Sequence, residues 1–390
     1  MGASFTADSA WASGTGLRTP FVAVHRRRLQ ANIDRIAALG RRHGLTVRPH
    51  AKTHKCPEIA RLQIDAGAVG ITVAKPGEAL VFLRSGVRSL TLAYPVIDSG
   101  VIAQLLDEAD TCAASIQFVI DSPAGLQALQ HAARNRNDRT AAFLELDVGL
   151  HRCGVPPQSR LVAELAAELA RGPRTQFAGI LSHAGHAYGA GSPEGVAAVA
   201  ESERAAMQAA ATMLGAAGIE VPCVSVGSTP TVCLARDFAA VDEIRPGNYV
   251  FFDRTAMRLG AAGEDEIALA VFTTVVSVNA TYCIVDAGSK TLSSDLGPHG
   301  TGADMGHGQA IAFGPHAGRA LTLAKLSEEH GFIPHQGQPL EIGTRLMVIP
   351  NHSCPVVNLA DELVILSEAA KPQAWASRRA GRRVETRGGR

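Results

Sequence analysis

The chain has 390 residues, 46% of them hydrophobic and 19% charged, with a formal net charge of +1. That length suffices for one large domain and a smaller one, each with its own core. A balance so close to neutral excludes the strongly basic surface of a nucleic-acid or membrane-surface binder, and no apolar run reaches transmembrane length or forms a secretory leader. The opening Met1-Gly2-Ala3-Ser4-Phe5-Thr6 fits the loose N-myristoylation pattern, which is short enough to arise by coincidence. Seven cysteines, at 56, 112, 153, 223, 233, 283 and 354, are scattered, odd in number and never paired as C-x-x-C. They argue against a disulfide framework and for a reducing cytoplasm.

Along the chain, short β-rich runs alternate with longer amphipathic segments. Strands are predicted at 45–50, 69–74, 88–93, 115–120, 141–147, 176–183, 222–226 and 242–246. Helical patterns such as "RRRLQANIDRIAALGRRHG" and "GVAAVAESERAAMQAAATMLGAAG" lie between them. Near-continuous apolar strands separated by helices mark a parallel sheet covered on its faces, and eight such repeats point to an α/β fold, a closed (β/α)8 TIM-type barrel, over 18–262. From about 262 the texture changes to β-branched runs such as "EIALAVFTTVVSV" and "TRLMVIP" between Gly, Pro, His and Asn. These predict a mostly antiparallel β-domain over 263–370, with residues 1–17 as a further candidate part of it. The basic stretch 371–390 lacks hydrophobic periodicity and reads as a solvated, disordered tail.

In such a barrel the polar residues at strand C-termini line the mouth. The first strand ends in "RPHAKTHK". Continued as a strand, it would place His50, Lys52 and His54 on one face and Lys55 on the other. The fifth ends in "ELDVGLHRCGV", with Asp147, His151 and Arg152, and the sixth in "LSHAGHAY", with His183, His186 and Tyr188. The seventh ends in "VSVGSTPT". There Gly227 lets the backbone approach an anion, the hydroxyls of Ser228, Thr229 and Thr231 can donate, and a helix start follows. An ordinary Ser/Thr helix cap explains that motif equally well. "RPGNY" at the eighth strand end brings Tyr249 toward the same phosphate. Gly300-Thr301-Gly302 with Gly306 follows no clear strand and does not fit a dinucleotide fingerprint.

A lysine and a phosphate cradle on one rim are the minimum equipment for pyridoxal phosphate. The segments "TPFVAVHRRRLQANI", "RPHAKTHK", "GITVAKPGEA", "ELDVGLHRCGV", "VSVGSTPT", "RPGNYVFFD", "VDAGSKTLSSD" and "PNHSCPVVNL" together span nearly the whole chain. They resemble the D-threonine aldolase and eukaryotic-type D-serine dehydratase family, pyridoxal-phosphate enzymes of fold type III with an alanine-racemase-like barrel. The resemblance implies that Lys52 binds the cofactor covalently and that Arg152 lies by its phenolic oxygen. Ser228, Thr229 and Tyr249 then belong to its phosphate site. The candidate cofactor contacts are Lys52, His50, Arg152, His183, Gly227, Ser228, Thr229 and Tyr249. The candidate acid–base groups are Lys52, His186 and Tyr188, with His54 nearby in sequence.

His352 and Cys354 stand two apart and would face the same way on an extended segment. Imidazole and thiolate suit zinc, and two protein ligands leave positions for water and substrate oxygen. The family context makes this the metal site. Some members have Asp in place of Cys354, and the Cys favours zinc over manganese, magnesium or cobalt.

A metal that takes up a β-hydroxyl serves two reactions: cleavage of Cα–Cβ with the hydroxyl deprotonated, or loss of hydroxide after Cα–H cleavage. The first reading is a D-threonine aldolase, a lyase that splits β-hydroxy-D-amino acids into glycine and an aldehyde. The alternative is a D-serine or D-threo-3-hydroxyaspartate dehydratase releasing ammonia and an α-keto acid. A non-catalytic pyridoxal-phosphate carrier ranks below both, because carriers resemble the barrel alone. By resemblance a head-to-tail homodimer is expected.

Overall fold

The computed structural model describes residues 8–298 and 305–377. The N-terminal acylation pattern, the Gly300-Thr301-Gly302 stretch and residues 378–390 of the basic stretch lie outside them. The chain divides into two compact units. One is built from Arg35–Lys52 and Pro57–Gly247; the other takes Thr53–Cys56 with the described parts of Met1–Asp34 and Asn248–Arg378.

The first strand, β1 (Phe21–His25), belongs to the second of these units. In the other, β2 (Thr46–Val47), β3 (Ile71–Val73), β4 (Ser89–Pro95), β5 (Ser115–Ile120), β6 (Thr140–Leu146), β7 (Thr175–Ser182), β8 (Val224–Val226) and β9 (Glu243–Ile244) form one parallel sheet. Its order is β2-β9-β8-β7-β6-β5-β4-β3, and a parallel bridge from His50 to Thr72 joins its two ends. The Thr72 N–H donates to Pro49 O at 2.8 Å and the Val69 N–H to Val47 O at 3.0 Å. All eight predicted barrel strands are present, each within a few residues of its predicted place.

Local chemistry sets the helices between them. Proline opens Pro57–Asp65, Pro76–Arg84, Pro123–Ala133 and Pro193–Ala216, where the first turn needs no N–H donor. Ser122 and Ser192 cap two of these, accepting from Gly125 N–H at 3.2 Å and Gly195 N–H at 3.1 Å. In Arg160–Arg171 the side chains of Val162, Leu165 and Leu169 form one buried stripe, each large apolar group contributing about 1.5–3 kcal/mol. One close approach requires glycine: Gly179 of β7 has φ +131°, and a Cβ there would lie 2.0 Å from Cys223 O.

The barrel interior carries charge. Arg48 Nε donates to Glu243 Oε2 at 2.8 Å, the Ser225 hydroxyl to Glu243 Oε1 at 2.6 Å, and Arg245 Nη1 to the Ser225 hydroxyl at 2.5 Å. All four residues are buried, so these contacts offset a large desolvation cost.

The second unit is a mostly antiparallel sheet. Its further strands are β10 (Leu269–Val278), β11 (Tyr282–Val285), β12 (Gln309–Ala312), β13 (Ala320–Thr322), β14 (Lys325–Leu326), β15 (Gly331–Pro334), β16 (Arg345–Ile349), β17 (Glu362–Leu366) and β18 (Gln373–Ala376). The main path runs β13-β12-β16-β10-β1-β17-β18, and β11, β15 and β14 extend from β10.

Three sequence boundaries are corrected. Residues 21–25, placed in the barrel segment 18–262, form β1, which pairs with β10 antiparallel and β17 parallel; the Phe21 and Phe272 rings stack at 4.9 Å. Residues 248–262 also go with the sheet unit: Arg254 N–H donates to Pro350 O and Ala268 N–H to Phe251 O. The stretch read as a tail from 371 begins with β18, paired to β17. Among the described residues no helix is long and apolar enough to cross a membrane.

Candidate active site

After β2 the chain reaches His50 and then closes into a 3-10 turn, Ala51–Thr53. Lys52 is therefore not on an extended strand. A turn of about three residues breaks the alternation expected of His50, Lys52 and His54. The His54 ring instead bonds Cys56, accepting from its N–H at 3.1 Å, and Lys55 has φ +48° with its Nζ donating to Asn358 Oδ1 at 2.5 Å. His50 Nδ1 accepts from the Lys52 N–H at 3.3 Å. His183 Nδ1 donates to Gly227 O at 3.2 Å, which fixes its tautomer because a carbonyl can only accept.

Burial, followed by the positive charge of Lys52, holds both His50 and His183 well below the ordinary imidazole value; Arg152 and Arg245 add to this. Both rings are thus neutral near pH 7. A converging field of lysine and two arginines suits a ligand with a phosphate and a phenolate, as pyridoxal phosphate has.

Asp147 shapes the turn after β6. Its Oδ1 accepts from the N–H groups of Gly149 at 3.0 Å and His151 at 2.9 Å, and its Oδ2 lies 2.7 Å from His151 Nδ1. Partial burial raises the carboxyl, but these hydrogen bonds outweigh it and hold Asp147 low. Beneath Arg152, burial raises Glu145, and burial with Glu145 pushes the Cys153 thiol up to about 11; the thiol donates to Glu145 at 3.2 Å.

At the end of β8, Gly227 has φ +118° and its N–H points to Glu203 Oε1 at 3.3 Å. Ser228 forms the helix cap that the sequence also allowed. Its N–H donates to Thr231 Oγ1 at 2.9 Å, and the two hydroxyl oxygens lie 3.0 Å apart. Thr229 Oγ1 accepts from the Gly247 N–H at 3.2 Å. The picture of three hydroxyls aimed at one anion is therefore revised: Ser228 and Thr231 first satisfy each other.

His186 and Tyr188 sit in the turn Gly185–Gly189 after β7. His186 Nδ1 is buried and has no hydrogen-bond partner among the described residues. Its ring lies 3.3 Å from where Gly149 would carry a Cβ. Burial lowers its pKa, and Asp147 opposes the shift. Tyr249 is fully buried in the turn Asn248–Val250 of the other unit.

In that sheet unit His352 is extended, but Ser353 starts the helix Ser353–Leu359, so the segment is not a strand as expected. His352 Nδ1 bonds Asp295 Oδ2 at 2.8 Å, an outer contact of the kind that orients a metal-binding imidazole. Burial works against its charge, but the Cys354 thiolate and Asp295 together raise it to about 10. The Cys354 Sγ lies 3.3 Å from Thr53 Oγ1. Asp253, fully buried, accepts from Asn248 Nδ2 at 2.7 Å and from the Ser353 N–H at 3.0 Å, fixing the backbone between the two donors. Among the described residues no three His, Cys, Asp or Glu side chains cluster as a metal site. A nitrogen and a sulfur donor with further positions left to water and substrate fit an open catalytic zinc.

Sequence reasoning missed Arg245, Glu145, Glu203, Asp253 and Asp295. Asp295 and Asp253 close two of the quoted motifs, but a single carboxylate at a motif's end carries no periodic signal.

Residues 24–255 match the alanine racemase N-terminal domain and residues 268–366 the putative serine dehydratase domain. D-threo-3-hydroxyaspartate dehydratase of Delftia sp. (strain HT23) is 33% identical, over 92% of this chain and 97% of that one. Its solved structure superposes with a TM-score of 0.86 at 32% identity, covering 93% of this chain and 98% of that one, and a variant of it is described in a metal-free form. D-threonine aldolase of Arthrobacter sp. is 29% identical over 92% of this chain and 91% of its own. The chain belongs to the D-threonine aldolase and D-serine dehydratase family of alanine-racemase-like pyridoxal-phosphate enzymes.

Proposed function

We propose that the chain is a pyridoxal-phosphate- and divalent-metal-dependent lyase of β-hydroxy-D-amino acids, acting as a dehydratase. The observation that carries the lyase reading is the His352–Cys354 pair, with Asp295 orienting the imidazole; the pair serves either reaction, and the 33% identical D-threo-3-hydroxyaspartate dehydratase favours dehydration. Zinc is the proposed ion, because thiolate and imidazole are its preferred partners.

When bound, pyridoxal phosphate supplies an electron sink at Cα and the metal a Lewis acid at the β-oxygen. Lys52 is the amine that would bind the cofactor covalently and take up the Cα proton. His50 and His183 stay neutral beside it, so they add no positive charge to that of Lys52 and the two arginines. Arg152 holds a phenolate. Ser228 and the helix start behind it hold a phosphate end. In dehydration the Cα–H and Cβ–O bonds break, water leaves, and hydrolysis of the resulting imine gives ammonia and an α-keto acid.

Retro-aldol cleavage, the first reading of the sequence, becomes the second here, supported by the 29% identical D-threonine aldolase. There Cα–Cβ breaks, the β-hydroxyl loses its proton, and Cα gains one to give glycine. A carrier without catalysis would leave the His352–Cys354–Asp295 arrangement without a task.

The test is a product assay on cofactor- and zinc-loaded protein with D-threonine, D-serine and D-threo-3-hydroxyaspartate, with L-threonine and a chelated sample as controls. The expected result is ammonia with the matching α-keto acid, lost on chelation. Aldehyde and glycine without ammonia would establish the aldolase instead. No product from any D-substrate would refute the lyase reading.

A further inference from the structure

The helix Pro193–Ala216 buries one continuous stripe: Val196, Ala200, Glu203, Met207, Ala210 and Leu214. Five of these are apolar, and a carboxylate stands at the centre of the stripe. Burying a carboxylate among apolar neighbours is strongly unfavourable unless several donors meet it. Here three do, all on Oε1: the Ser182 hydroxyl at 2.8 Å, the Ala184 N–H at 3.2 Å and the Gly227 N–H at 3.3 Å.

Those donors come from two different strand ends. The ladder between β7 and β8 ends at Leu181 opposite Ser225. Beyond that pair the two chains part, and the N–H groups of Ala184 and Gly227 both turn to Glu203. His183 lies between two of the gripped residues and closes the ring through Nδ1 to Gly227 O at 3.2 Å. Arg245 reaches the same place, donating to the Ser182 carbonyl.

We propose that Glu203 is a positioning residue that sets the spacing between His183 and the Gly227-Ser228 turn, and through them the hold on the cofactor's phosphate end. It touches neither substrate nor cofactor and acts only by fixing two strand ends. This rests on reading that rim as a pyridoxal-phosphate site. A carboxylate confined to packing would affect stability and leave cofactor binding alone.

The experiment is titration of cofactor-free protein with pyridoxal 5'-phosphate, with the phosphorus NMR resonance of the bound phosphate as a second readout. Glu203→Ala leaves three buried donors without their acceptor and is expected to weaken binding by about tenfold or more and to move or broaden the resonance. Glu203→Gln keeps one acceptor oxygen in place and restores binding to within about threefold. Met207→Ala, on the same stripe and fully buried, lowers the thermal midpoint without changing either readout. If Glu203→Ala fails to fold, Glu203→Asp, with the carboxylate drawn back by one methylene, takes its place. Wild-type affinity and an unmoved resonance in Glu203→Ala or Glu203→Asp would overturn the proposal. A wild-type chain that binds no pyridoxal phosphate would instead overturn the reading of the rim.

Discussion

Removing Asp295 should loosen the metal without unfolding the protein. Its Oδ2 lies 2.8 Å from His352 Nδ1, and the two side chains are 31% and 20% exposed. A hydrogen bond to a charged group contributes about 1.5–3 kcal/mol, and partial exposure places this one toward the lower end. At about 1.4 kcal/mol per tenfold, Asp295→Ala should weaken zinc binding by roughly 10- to 100-fold, the range typical of lost outer partners of metal ligands. Asp295→Asn keeps a neutral acceptor, loses about 1 kcal/mol, and should fall near fivefold. Competition against a chromophoric zinc chelator measures all three proteins, with His352→Ala as the floor and the metal-free thermal midpoint as the folding control. If Asp295→Ala binds zinc like wild type while His352→Ala does not, the carboxylate does not orient the ligand and the reasoning fails.

Lys52→Ala should lose the visible absorbance of bound cofactor, while Lys55→Ala, whose amine is engaged with Asn358, should keep it; retained absorbance in Lys52→Ala would end the assignment. His50 and His183 have folded values below the unfolded imidazole value, so their stabilisation is complete above that value and is lost as pH falls below about 6.5. Each contributes a slope of about 1.4 kcal/mol per pH unit. The thermal midpoint of cofactor-free protein should therefore drop further between pH 7.5 and 5.5 in wild type than in a His50→Asn/His183→Asn double variant, and equal drops would contradict this. Arg48→Met strands the buried Glu243 and should destabilise by about 3–5 kcal/mol, whereas Arg48→Met with Glu243→Leu should recover most of it in a denaturant midpoint.

The parallel barrel was legible because its strands are short, mostly apolar runs and its helices carry their own start signals. Each pair repeats the same local chemistry. Which sheet a strand joins is a different matter. "FVAVH" reads the same beside either sheet, and only its distant partners β10 and β17 place it. The alternation argument around Lys52 failed because one 3-10 turn resets every side-chain direction after it. The donors His352 and Cys354 stood out as chemical types, and the rim histidines as a cluster. Their carboxylate partners did not, because Asp253, Asp295 and Glu203 are single residues whose partners sit at no regular spacing from them.

The placement of β1 bears on how the protein is made. Val22 pairs with Val271, and Ala23 with Val364, so this apolar strand leaves the ribosome roughly 250 residues before its first neighbour and roughly 340 before its second. At about 5–20 residues per second it waits tens of seconds with both edges open. The barrel segment, complete by Gly247, can collapse in that interval, while "FVAVH" remains a ready template for another nascent chain. Slow translation of the second half should therefore lengthen the exposure of β1 and favour aggregation over yield.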